Sequence, residues 1–71
     1  MKRKRLTNPQ LKLLRRVVLE GSARIYGSST VRVAHTLAKL GLIQFNPPGS
    51  DYEALPTNLG REVAERGGEL L

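Results

Sequence analysis

The chain of 71 residues contains no cysteine and no tryptophan, and it has only one histidine, one phenylalanine and two tyrosines. Without cysteine, the chain can form no disulfide, no thiolate metal site and no cysteine nucleophile. The single histidine has no second histidine and no carboxylate at ligand spacing beside it, which predicts that the chain binds no metal. Three aromatic residues are too few to predict a platform on which the bases of single-stranded RNA stack.

The sequence also lacks segments that direct a chain to a membrane or hold a nucleotide. No apolar run approaches the roughly 18 residues that a transmembrane helix needs. The basic start Met-Lys-Arg-Lys-Arg is not followed by the apolar region of a signal peptide. There is no glycine-rich phosphate loop and no pattern typical of a nucleophile with its base. We therefore expect a cytoplasmic protein that is not an enzyme, contacts no membrane and needs no cofactor or small-molecule ligand.

Positive charge is abundant, and it is confined to the first part of the chain. Twelve Lys and Arg residues against six Asp and Glu residues give a net charge of +6. Residues 1–40 contain ten basic residues and one acidic residue, whereas residues 41–71 contain two basic and five acidic residues. A basic half on so small a protein produces a local field that suits a polyanionic partner. The alternative is a charge that only keeps the protein in solution.

A first amphipathic helix is predicted over residues 9–20. The polar residues and proline at positions 7–9 are typical of a helix start, and Gly21 is a natural helix stop. The inward side carries the apolar residues that recur at helical spacing, which are Leu11, Leu13, Leu14, Val17 and Val18. The opposite side carries Lys12, Arg16 and Glu20.

A second helix is predicted over residues 30–40, with Ser28 or Ser29 as its N-cap and Gly41 at its end. The predicted buried side follows one line along the helix, which passes through Thr30, Ala34, Leu37 and Gly41. The opposite side is a continuous polar stripe that consists of Arg32, His35, Thr36 and Lys39. This set is called the α2 stripe below. It either contacts a partner or is simply a solvated helix face.

The connections predict a small sheet and a third helix. Residues 22–29 favour a short strand or a single helical turn, with Ile25 and Tyr26 as candidates for the inward side. A β-hairpin is predicted from two β-rich runs, residues 42–46 and 52–55, which are joined by a turn at residues 47–51. After it, Thr57 caps a helix over residues 58–66 with Leu59 and Val63 facing inward.

Two segments of the chain match patterns of a known superfamily. Residues 30–43, Thr-Val-Arg-Val-Ala-His-Thr-Leu-Ala-Lys-Leu-Gly-Leu-Ile, look like a recognition helix that runs into the first strand of a wing. Residues 57–62, Thr-Asn-Leu-Gly-Arg-Glu, are similar to a Leu-Thr-x-x-Gly-Arg segment, with Pro56 in place of the usual leucine. With the order of elements, these segments resemble the winged helix-turn-helix superfamily, in particular small bacterial transcription regulators. The resemblance covers residues 7–66.

The resemblance implies an α+β fold with three helices and a two-stranded β-hairpin wing. The basic residues without apolar periodicity at the start predict a flexible arm at residues 1–6, and the glycine pair predicts a loose tail at residues 67–71. The eight residues 22–29 leave no room for the complete helix that is usual there. Either a short extra strand or a single turn replaces that helix in a minimal variant, or the recognition geometry is lost.

By the same resemblance, the predicted function is DNA binding and transcription regulation, with the helix over residues 30–40 in the major groove. The predicted contact residues are Arg32, His35, Thr36, Lys39, Ser29, Arg16 and the arm residues Lys2, Arg3, Lys4 and Arg5. Lys12 and Arg15 would add phosphate affinity. The alternative is a protein-interaction module without DNA binding, because the predicted wing tip at residues 47–51 has no Lys or Arg. A homodimer would suit either function.

Overall fold

The computed structural model describes residues 5–47 and 53–70, which form a small α+β domain. Within these residues there are three helices and a three-stranded antiparallel sheet. In chain order the elements are α1 (Asn8–Glu20), β1 (Ala23–Arg24), α2 (Ser28–Lys39), β2 (Ile43–Phe45), β3 (Glu53–Pro56) and α3 (Asn58–Glu65). The predicted α+β class and the order of elements are confirmed. The predicted contact residues Lys2, Arg3 and Lys4 and most of the predicted wing tip lie outside the described residues.

The first helix begins one residue earlier than its prediction and ends where it was expected. The Thr7 N–H donates to the side-chain oxygen of Gln10 over 3.0 Å, which satisfies a backbone donor at the start of the helix. Gly21 follows the helix in a left-handed conformation with φ of 79°. Glycine adopts that conformation without the steric cost that a Cβ brings, so the predicted stop is confirmed.

The second helix starts before the predicted boundary, and its N-cap is neither Ser28 nor Ser29. The N-cap is Gly27, and both serines lie in the first turn of the helix. Gly27 has φ of 83° and ψ of 148°, a backbone conformation that L side chains rarely adopt. The turn from β1 into α2 therefore requires glycine at the cap position. At the other end Gly41 has positive φ, and the Leu42 N–H donates to the Leu37 carbonyl, which ends the helix as predicted.

The sheet joins the predicted hairpin to the short strand that precedes α2. Strand β3 is central, with β1 on one side and β2 on the other, both antiparallel. Of the two predictions for residues 22–29, the short strand is confirmed and the single helical turn is not. The sheet therefore has three strands. Ile25 is buried as predicted. The prediction for Tyr26 was wrong, because the strand ends at Arg24 and Tyr26 is 63% exposed in the turn toward Gly27.

The third helix buries a glycine where a leucine was expected. Leu59 is 44% exposed, whereas Gly60 and Val63 face the core. Gly60 lies so close to the Leu42 backbone that a Cβ at this position would overlap the Leu42 carbonyl oxygen. The prediction of Leu59 as an inward residue was therefore wrong. At the position that faces the core, α3 approaches the Leu42 backbone so closely that only glycine fits. The predicted cap is confirmed, since the Thr57 hydroxyl accepts from the Gly60 N–H over 3.0 Å.

The two ends of the described chain, in the segments expected as an arm and a tail, are paired with each other. The Leu6 N–H donates to the Gly68 carbonyl over 2.9 Å, and Arg5 and Glu69 form an antiparallel β-bridge. Leu6 is only 8% exposed, and Leu70 packs against the core. Residues 5–6 and residues 67–70 therefore contact one another and the core. Burial of Leu6 and partial burial of Leu70 favour this packing.

The core lies between the three helices and one face of the sheet. The largest fully buried side chains come from every helix and from the start of the hairpin, and they are Leu14, Val17, Leu37, Leu42 and Val63. These contacts fix α2 against α1 and against β2, and so they fix which side of α2 faces solvent. Among the described residues, no helix has the length and apolar character needed to cross a membrane.

Candidate nucleic-acid interface

The α2 stripe lies on the solvent side of a helix whose other side is firmly packed. Ala34 and Leu37 have no exposed surface at all, whereas all four stripe residues are exposed. The predicted buried line is confirmed at these two positions, and so is the exposure of the stripe. Because α2 is held by its apolar side, the stripe is presented on a rigid helix rather than on a mobile loop.

One border of the α2 stripe is formed by the hairpin. The rings of His35 and Phe45 lie with their centroids 5.1 Å apart at an interplanar angle of 53°. Tilted aromatic pairs of this kind are favourable contacts. Phe45 is partly buried against the core, and its ring contacts the imidazole at the edge of the α2 stripe.

The opposite border is an open groove of about 450 Å³ between α1 and α2. On the α2 wall lie Ser29, Thr30 and Val33, and on the α1 wall lie Lys12 and Arg16. The structure therefore brings two predicted cations of α1 next to the Ser29 side of the α2 stripe. Sequence reasoning did not place Thr30 and Val33 at this border, because only the packing of α1 on α2 brings the two walls together.

Two side chains of this surface already have hydrogen bonds. The Thr36 hydroxyl donates to the Arg32 carbonyl of the previous helical turn over 3.2 Å, so its oxygen remains available as an acceptor. Arg16 donates from Nε to the Glu20 carboxylate over 3.3 Å. Both side chains of this pair are more than half exposed, and such surface pairs contribute about 0–1 kcal/mol. Because the pair is weak, the Arg16 guanidinium can give up its contact with the Glu20 carboxylate and bind another anion instead.

The remaining predicted cations lie elsewhere. Arg5 precedes α1, and its side chain is exposed while its backbone forms the bridge to Glu69. Arg15 lines grooves on the sides of α1 that do not face α2. On α3 and at its C-cap, the exposed Glu62 and Glu65 are balanced by two exposed arginines. The excess of positive charge therefore lies on α1 and α2.

The chemistry of this surface is that of polar and cationic side chains. Within residues 5–47 and 53–70, no group of three or more His, Asp and Glu side chains could hold a metal ion. The surface offers hydrogen-bond donors, two long cations on α2 and two more across the groove, which suits contact with a polyanion. Comparisons of this chain with protein-family models, with curated proteins and with solved structures find no match.

Proposed function

We propose that this protein is a minimal winged-helix DNA-binding protein, with α2 as the helix that enters the major groove and the β2–β3 hairpin as the wing. The observation that carries the proposal is the exposed cationic stripe on a helix whose opposite side packs on the core through the buried Ala34 and Leu37. A rigid helix with such a side has the shape and the charge that the major groove of DNA accepts. Regulation of transcription is the role that fits this mode of binding.

The spacing of the α2 stripe suits successive base pairs. From Arg32 to Lys39 the helix rises about 10 Å, which corresponds to roughly three base-pair steps. Arg32 has the two-pronged donor geometry that guanine accepts, and the Thr36 oxygen can accept from a base amine. In this proposal Arg32 reads sequence, while Lys39 at the C-terminal end of the stripe and His35 at its hairpin border contact phosphates.

The groove beside the stripe supplies the phosphate contacts of the proposal. Lys12 and Arg16 lie on the α1 wall and Ser29 lies on the α2 wall, so a phosphate strand along the groove meets donors from both helices. Contacts of this kind position a protein on the duplex without reading sequence. They also make the affinity fall steeply with salt concentration.

The test is a titration of fluorescently labelled duplex DNA at several salt concentrations with the variants Arg32→Ala and Arg61→Ala. Arg61 is an exposed arginine of α3, so its removal changes the net charge equally but leaves the α2 stripe intact. We expect Arg32→Ala to weaken binding to the preferred sequence by about 1–3 kcal/mol, and Arg61→Ala to have little effect. Equal effects of the two variants would reduce the proposal to non-specific attraction.

The second candidate, a protein-interaction module, is favoured by two exposed carboxylates on α3. Glu62 and Glu65 would repel a DNA backbone, and together with Arg61 they make α3 a surface of mixed charge. NMR spectra recorded during a DNA titration at low salt separate the candidates. DNA binding through α2 should shift the signals of residues 29–39, and unchanged signals in that range would favour the interaction module.

A further inference from the structure

A second surface feature lies between α1 and α3, away from α2. Leu19 is 88% exposed, and it lines an open groove of about 310 Å³ together with Val18 and Ala64. The groove also has one charge of each sign along it, Arg15 on α1 and Glu65 on α3. A single exposed leucine is ordinary. A leucine with this exposure beside an apolar groove, with a charge on each wall, is a surface that a partner can cover.

The charges identify the partner that fits this groove. Within residues 5–47 and 53–70, neither Arg15 nor Glu65 has an ion-pair partner. A two-fold axis that runs along the groove, in the plane of the interface, brings the same patch of two copies together and places the α1 wall of each copy opposite the α3 wall of the other. Under that symmetry the cation on the α1 wall of one copy faces the anion on the α3 wall of the other. The groove is therefore complementary in charge to itself.

We propose that this face joins two copies of the chain as a symmetric homodimer. The Leu19 side chain of each copy packs into the groove of the other, and Arg15 of each copy faces Glu65 of the other. The apolar contact supplies the attraction, since burial of a leucine that is exposed in the monomer is favourable by the hydrophobic effect. The two ion pairs fix the orientation of the copies and disfavour other pairings.

The dimer does not depend on DNA binding. On α1, the side that carries Lys12 and Arg16 borders the groove toward α2, whereas the side with Arg15 and Leu19 borders the groove toward α3. The two surfaces can be occupied at the same time. Failure of the DNA-binding proposal would leave the dimer untouched, and a monomer would leave the α2 stripe untouched.

Sedimentation velocity of the full chain and two charge-reversal variants tests the proposal. Arg15→Glu alone and Glu65→Arg alone each place like charges opposite one another at both ends of the interface. We expect the dissociation constant of each variant to rise about tenfold or more relative to the unmodified chain. An equimolar mixture of the two variants should dimerise again. In the mixed dimer the introduced carboxylate at position 15 faces the introduced guanidinium at position 65, and the two native charges also face one another.

The rescue by mixing is specific for contacts between copies, since contacts within one copy cannot be repaired by adding another variant. Leu19→Ser should also weaken the dimer, whereas Leu40→Ser, at the exposed leucine that follows α2, should not. Circular dichroism checks that each variant is folded, and Leu19→Ser carries the test if a charge reversal unfolds the chain. The proposal is overturned if the unmodified chain stays monomeric at about 1 mM, or if the mixture of charge reversals stays monomeric.

Discussion

The hydroxyl of Thr57 donates to the carbonyl oxygen of Gly41 over 2.6 Å, and it accepts from the Gly60 N–H over 3.0 Å. One side chain thus connects the turn that ends α2 with the first turn of α3. The Thr57 N–H adds a bond of 3.2 Å to the Leu42 carbonyl. The position of α3 relative to the end of α2 is therefore fixed by hydrogen bonds as well as by apolar packing.

Replacement of Thr57 by valine should destabilise the domain by about 1–3 kcal/mol. Valine keeps the shape of threonine but leaves the Gly60 N–H and the Gly41 carbonyl without their partner. Thr57→Ser keeps the hydroxyl and should recover most of the loss. Urea denaturation followed by circular dichroism measures both variants. Equal destabilisation by valine and serine would show that the methyl group, and not the hydroxyl, matters.

Gly60→Ala should destabilise the domain although alanine is the better helix former. On propensity alone the change would stabilise a helix by about 1 kcal/mol. At this position the added Cβ overlaps the Leu42 carbonyl oxygen, and such overpacking costs about 1–3 kcal/mol. Thermal unfolding compared with Glu62→Ala, at an exposed position of the same helix, measures the difference. A more stable Gly60→Ala variant would contradict the close approach of α3 to Leu42.

Glu20→Gln should strengthen DNA binding if the proposed function is right. The Glu20 carboxylate pairs with Arg16 beside the groove, where it competes with a phosphate and repels it. Because a surface pair of this kind is weak, we expect a gain of about two- to fivefold at low salt that shrinks as salt is added. Glu62→Gln, on the α3 surface, changes the net charge equally and is the matched control. A gain of the same size for both variants would indicate that only net charge matters.

Leu6→Ala should destabilise the domain by about 2–5 kcal/mol, since this leucine is buried in the core. A chain of this length has a total stability of roughly 4–11 kcal/mol, so the loss would be a large part of it. Arg5→Ala changes an exposed neighbour and leaves the backbone bridge to Glu69 in place. Urea denaturation should separate the two variants clearly. Similar unfolding midpoints would mean that the chain end does not stabilise the domain.

Local sequence patterns were sufficient for the features that depend on one segment alone. The spacing of Ala34 and Leu37 identified the buried side of α2, and the exposure of Arg32 and Lys39 follows from the same periodicity. Glycine identified the end of α1 and of α2, because the chemistry of a helix stop is local. The candidate interface was therefore predictable as far as its α2 stripe.

Features that depend on contact between distant segments were not predictable from such patterns. Hydrophobicity favoured Leu59 as an inward residue, but the approach of α3 to the Leu42 backbone selects Gly60. The burial of Leu6 requires the pairing of the two chain ends, which no local pattern contains. The groove that places Arg16 opposite Ser29 likewise exists only once α1 has packed on α2.

The bridge between Arg5 and Glu69 has a consequence for how the domain can be connected to other chains. Antiparallel partners lie about 5 Å apart, so the polypeptide enters and leaves the domain at almost the same point. A host protein could carry this domain as an insertion in a surface loop without any stretching of that loop. For the same reason a short glycine linker between the ends should allow circular permutation, with new termini opened at an exposed turn such as the one near Tyr26.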